Sequence, residues 1–364
     1  MITPSRPPTP VPARRVHLVG SLPEPLCADP TTALRWQLDT VGAAGLRALV
    51  WEPDPNWIRD YVLGLTAARC LQVRRDGGYS DYSDPRYYRV RRGFELDPDE
   101  LVLGREHALA EAMAVREQLR FEYPRDLLPP QQVGVPHALD LALFTLGNPA
   151  AVLRWMRVFQ KVVAREVSAC AYQWGGEFEL QLESPAILAL LHRTPAWARP
   201  ALARRLARQV VDLLVEAPHS VRWVVHLCYG DLDHQPLFRP RDLAPAVLFA
   251  NALADWCDRR EVQVPLIHIP MVTGDDPPSL DVEFYRPLRR LHRDVRLIAG
   301  LVAERHREES ETVLGLVEAL LDGPVAAIAA GCGLGRRTAA AAIANTIVAR
   351  DIVLIRGLDA MTSG

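Results

Sequence analysis

His226 and Cys228 stand one residue apart in the run HLCYGD (226–231), and Cys332 lies in the run GCGLGRR (331–337). On an extended strand, that spacing turns His226 and Cys228 to the same face. An imidazole with two thiolates suits zinc, and a catalytic zinc keeps three protein ligands and one open position. The alternative for the pair is a core histidine beside a small buried cysteine. Cys332 favours the metal reading, because it ends another apolar run inside a glycine-bracketed turn. Tyr229 and Asp231 adjoin this set and are the candidate catalytic residues, placed to orient a ligand or transfer a proton; His234 is a further candidate. Arg336 and Arg337 fall at an expected helix start, where guanidinium groups and backbone N–H groups together make an anion site.

These residues need elements to hold them. Short apolar runs at 15–20, 46–51, 131–137, 178–183, 221–228, 262–269, 295–301 and 324–330 read as strands. Helical patterns separate them, such as 195–216, where Trp197, Ala201, Leu206, Val210 and Leu214 recur at helical spacing, and 242–260. Eight strands alternating with helices predict an α/β fold, a single (β/α)8 barrel, in which chemistry gathers at the carboxyl ends of the strands. A doubly wound open sheet is the alternative, but the sequence has no glycine-rich dinucleotide turn to support it. Residues 1–14, with prolines at 4, 7, 8, 10 and 12, read as a disordered arm, leaving 15–364 for the barrel. The stretch 74–97, rich in Tyr, Gly, Asp and Arg, breaks the alternation after the second βα unit. It reads as an insertion, either a surface hairpin or a lid over the barrel mouth.

Composition narrows the function. A formal net charge of −2 over 364 residues argues against a protein held to nucleic acid or anionic lipid by bulk charge. No apolar run is long enough to span a bilayer and the start lacks an apolar signal core, so a cytoplasmic protein is expected. Of 42 basic residues only Lys161 is a lysine, so Schiff-base chemistry would have to use it. The six cysteines form no C-x-x-C pair and no disulfide framework, and Cys27, Cys70, Cys170 and Cys257 are expected to be structural.

The motifs HLVGSLP (17–23), QLESP (181–185), HLCYGD (226–231), LIAGLVAER (297–305) and GCGLGRR (331–337) resemble, in order, those of cobalamin-independent methionine synthase. The resemblance is nearer to the short single-barrel members of the uroporphyrinogen decarboxylase and methionine-synthase-like superfamily, and it runs from about Arg15 to Ala349. It implies a (β/α)8 barrel and a zinc on His226, Cys228 and Cys332 that activates a small thiol such as homocysteine for methyl or alkyl transfer. It further implies that Ser21 and Glu183 bind the amino-acid substrate. The chain departs from the family pattern where a glutamate ligand is expected on the next strand; His268 is the metal-competent residue there. The acidic motif after the second strand is reduced to Trp51-Glu52-Pro53-Asp54, leaving Glu52 for the substrate contact. The second barrel of the long synthase is absent as well. A folate polyglutamate is therefore expected to be a poor donor, with another small molecule or a carrier protein serving instead. The alternatives are a metal-free lyase or decarboxylase that holds carboxylates with arginines, and a metabolite binder without the synthase reaction.

Overall fold

The protein is described by a computed structural model covering residues 14–52, 58–123, 127–232, 234–274 and 276–362, with 356–362 as backbone alone. The expected arm lies outside these residues except for Arg14, which is tied to the barrel by an ion pair with Glu318. Pro53 and Asp54 of the reduced acidic motif lie outside as well.

Ten strands are present among the described residues: β1 (Arg15–Val16), β2 (Leu49–Val50), β3 (Leu71–Arg75), β4 (Tyr87–Val90), β5 (Gln131–Pro136), β6 (Phe178–Ser184), β7 (Arg222–Leu227), β8 (Leu266–Pro270), β9 (Leu297–Val302) and β10 (Ala327–Ala330). Eight of them form one parallel sheet in the order β1-β10-β9-β8-β7-β6-β5-β2. A bridge between Val16 and Leu46 joins its two ends, through Val16 N to Gly45 O (2.8 Å) and Arg47 N to Val16 O (2.9 Å). The sheet closes on itself as a (β/α)8 barrel, with a strand in each of the eight expected segments. The open-sheet alternative is excluded by this closure.

Helices cover the outside because their apolar faces have no other surface to bury. The helix expected over 195–216 begins at Arg199 and runs to Glu216; Leu206, Val210 and Leu214 face the core. Trp197 precedes it and is 86% exposed, and Ala201 is also exposed. Inside the barrel, Val19, Val224, Ile298, Ala327 and Ala329 form their own apolar cluster. β6 is the exception, placing Glu179, Gln181 and Glu183, each two residues from the next, among polar partners.

The segment 74–97 contains most of the antiparallel hairpin β3–β4. The hairpin stands between β2 and the helix Arg105–Leu119, so it is carried by the loop leaving the carboxyl end of the second barrel strand. Its connecting turn is held by Asp84, which accepts from Gly78 N (2.9 Å) and Ser80 Oγ (3.0 Å). Tyr79 then reaches back to donate to Phe144 O (2.6 Å). Cys27, Cys70, Cys170 and Cys257 are buried and form no disulfide among the described residues; burial pushes the Cys170 and Cys257 thiols up to about 12.

Candidate metal centre

β7 ends with His226 and Leu227, and Cys228 follows it. The strand alternation sends Leu227 to one side and His226 and Cys228 to the other. Three strands away around the sheet, beyond β8 and β9, the chain leaving β10 turns through Gly331 and delivers Cys332 to the same mouth. One ligand atom from each of His226, Cys228 and Cys332 lies within 4.8 Å of the others. The two sulfurs are 3.1 Å apart, and Gly230 N donates to Cys228 Sγ at 3.2 Å.

The electrostatics of this trio would suit a bound cation. The nearby Cys228 sulfur and burial push the Cys332 thiol well above its usual range. Two thiolates at this separation in a buried site repel strongly unless a cation lies between them. Burial, with His268 beside it, holds the His226 imidazole well below its ordinary value, so the ring is neutral and has a lone pair to offer. The donor set and its spacing fit a zinc ion.

His268 occupies a different place from the three. It pairs with His226 in the register of β7 and β8. Its Nε2 lies 2.9 Å from Ala330 O, and its Nδ1 lies 2.9 Å from His226 Nδ1 and 3.4 Å from Leu227 O. Burial pulls its pKa down to about 4, so it is neutral. A carbonyl oxygen can only accept, and Ala330 O is the nearer of the two carbonyls, so Nε2 carries the proton and Nδ1 is left as the acceptor. His226 must then donate from Nδ1, which leaves Nε2 as its lone-pair nitrogen. Both ring nitrogens of His268 are thereby engaged with protein atoms.

The mouth around the trio is a cavity of about 130 Å³ whose lining includes Ser21, Glu183, Asp231 and Arg336. Ser21 follows Gly20, whose φ of +64° turns the chain leaving β1 beside Gly333. Glu183 Oε1 accepts from Gln181 Nε2 at 3.1 Å. Asp231 Oδ1 lies 3.2 Å from His234 Nδ1, while Asp231 Oδ2 is buried with no hydrogen-bond partner among the described residues.

Three sequence candidates point elsewhere. Tyr229 falls on the opposite side of the chain from Cys228; its hydroxyl donates to Pro270 O (2.8 Å), and burial raises its pKa. Arg337 is buried in an ion pair with Glu304 (3.1 Å), which braces the turn after β10 instead of facing the mouth. Glu52 is buried beneath the mouth, accepting from Gly134 N (2.8 Å) and Arg105 Nη1 (2.7 Å). In each case a protein partner uses the side chain that the sequence reading reserved for ligand.

Tyr82 is a residue that no motif singled out, although its segment reads as either a surface hairpin or a lid. It lines the mouth, and its hydroxyl oxygen accepts from Leu232 N at 3.0 Å. A Cβ at Gly230, where φ is +85°, would lie 2.4 Å from that hydroxyl, so a glycine is needed there to admit the tyrosine. The signal for Tyr82 was the tyrosine density of the insertion, which gives area and a hydroxyl but no register.

No family model matches the sequence, and no curated protein is similar enough to match. Among solved structures, the chain is similar to a B12-independent methionine synthase from Shewanella sp. W3-18-1 in complex with selenomethionine. The TM-score is 0.54 at 13% identity, over 94% of this chain and 98% of that one. The two share a fold. A methyltransferase from Methanosarcina mazei gives a TM-score of 0.49 at 12% identity, covering 95% of this chain and 94% of that one. The described residues contain no helix long and apolar enough to cross a membrane.

Proposed function

We propose that this protein is a zinc-dependent enzyme that transfers a methyl or alkyl group to a small thiol carrying an amino-acid end, homocysteine being the nearest candidate. The observation that carries the reading is the convergence of His226, Cys228 and Cys332 at the carboxyl-end mouth of the barrel. The motif resemblance and the fold shared with a methionine synthase support it. That synthase chain is covered over 98% of its length, so one barrel does not speak against the reaction.

In this reading His226, Cys228 and Cys332 hold the zinc, and His268 orients His226 without being a ligand. When bound, zinc lowers the pKa of a coordinated thiol so that it reacts as a thiolate near neutral pH. The remaining work belongs to the chain. Glu183 and Asp231 line the mouth and serve as acceptors for the substrate ammonium, and Ser21 adds a hydroxyl. Arg336 supplies a guanidinium for its carboxylate. Tyr82 and Tyr79 close the mouth from the hairpin and exclude water.

The donor is a methyl or alkyl carrier other than a folate polyglutamate. With Arg337 consumed by Glu304, Arg59 and Arg336 are the arginines lining the mouth, too few for an extended polyanion. A small molecule or a carrier protein meets this requirement. The metal-free lyase reading has no use for two adjoining cysteines. Homocysteine alkylation assayed with competing donors tests the proposal. Zinc-dependent product is expected with a donor other than the polyglutamate. Failure of every thiol and donor to give product in zinc-loaded protein would contradict it.

A further inference from the structure

A line of buried side chains runs along the barrel interior beneath Glu183. Arg47 is ion-paired with Glu179 and donates from Nε to His17 Nδ1 at 3.2 Å. His17 Nε2 lies 2.9 Å from Gln181 Oε1, and Gln181 Nε2 donates to Glu183 Oε1 at 3.1 Å. His17, Glu179 and Gln181 are all buried.

The chemistry of this line gives it a direction. A guanidinium has donors and no acceptor, so His17 must present a bare Nδ1 to Arg47. The neutral ring then carries its proton on Nε2 and donates it to Gln181, which must receive it on Oε1. The amide nitrogen of Gln181 is thereby forced toward Glu183. A reversed amide would set its oxygen against the carboxylate and leave two acceptors facing each other in a buried site. Space is tight around Glu183, since a Cβ on Gly134 would lie 2.9 Å from its Oε1 and 2.6 Å from Glu52 Oε1.

We infer that His17 and Gln181 are positioning residues, through which Arg47 fixes the Glu183 carboxylate for the ammonium group of the amino-acid substrate. The inference rests on the reading of Glu183 given above. His17 and Gln181 touch neither zinc nor the reacting sulfur, so their effect is on recognition of the amino-acid end.

Calorimetric binding of L-methionine to zinc-free full-length protein tests it without catalysis. Gln181→Leu and His17→Leu are expected to weaken binding about tenfold or more, the scale of one hydrogen bond to a charged group. His17→Gln, whose amide can accept from Arg47 and donate to Gln181, is expected to restore it to within about threefold. Leu variants that fold and bind methionine like wild type would overturn the inference. Histidine ¹⁵N NMR of wild type judges the line even if the Leu variants misfold. A bare Nδ1 and a protonated Nε2 on His17 are expected, and the opposite tautomer overturns the inference. Wild-type binding that Glu183→Gln leaves unchanged would instead overturn the reading of Glu183, a result distinct from both.

Discussion

His226 and His268 face each other across β7 and β8 with their Nδ1 atoms 2.9 Å apart, and His268 is anchored through Nε2 to Ala330 O at the same distance. The carbonyl sets the tautomer of His268, and His268 sets that of His226. His226 therefore arrives at the mouth with Nε2 unprotonated before any metal binds. Removing this orienting partner in His268→Leu should lower zinc affinity by roughly ten- to a hundredfold while the three proposed ligands remain. Competition with a chromogenic chelator measures it, and unchanged affinity would remove His268 from the account.

Gly300 gives an independent handle on the same geometry. A Cβ there would lie 2.6 Å from His268 Nε2 and 2.9 Å from Ile269 O. Gly300→Ala should push the His268 ring away from Ala330, weaken zinc binding, and cost about 1–3 kcal/mol by overpacking. Urea unfolding of zinc-free protein gives the second quantity. A variant normal in both respects would mean that the ring is not held as tightly as described.

Much of the fold was legible because the barrel depends on alternation, and apolar runs with helical spacers carry that signal directly. The pair His226 and Cys228 was readable for the same reason, since one intervening residue fixes a common face. What escaped the sequence depended on partners distant in the chain. The use of Arg337 by Glu304, of Glu52 by Arg105 and of Tyr229 by Pro270 O cannot be read from local spacing. Trp197 misled because a helical repeat does not mark where the helix starts, and the chain enters the helix two residues later. Glu179, Gln181 and Glu183 do alternate along β6, but their roles required knowing that His17 and Arg47 lie opposite.

The hairpin should shield the cysteines as well as shape the mouth. Tyr82→Ala is expected to raise the rate at which iodoacetamide alkylates Cys228 and Cys332 in zinc-free protein. Tyr82→Phe should keep the shielding and lose only the bond from Leu232 N, about 0.5–1.5 kcal/mol. Peptide mapping by mass spectrometry reads the rates. Equal labelling of wild type and Tyr82→Ala would show that the tyrosine does not cover the site.

Acid should destabilise the zinc-free protein through its buried histidines. Burial is the largest cause holding His17, His226 and His268 below the ordinary value of 6.5, with His268 at about 4. Between those values the unfolded chain binds more protons than the folded one, so stability is fully present above about pH 6.5 and falls as pH drops toward 4. Each such group adds up to about 1.4 kcal/mol per pH unit. His17→Gln removes one of the three, so its urea stability should fall less steeply between about pH 6.5 and 5 than that of wild type. Equal slopes would mean that His17 is not held neutral in the folded state.

The central claim is that His226, Cys228 and Cys332 make one metal site, and zinc content tests it most directly. Protein purified without chelators from zinc-supplemented cells should carry one zinc per chain by elemental analysis. Cys332→Ser, checked for folding by circular dichroism, should lose most of that zinc and bind added zinc at least about tenfold more weakly. Wild-type protein free of zinc, or a folded Cys332→Ser that retains its full complement, would contradict the account.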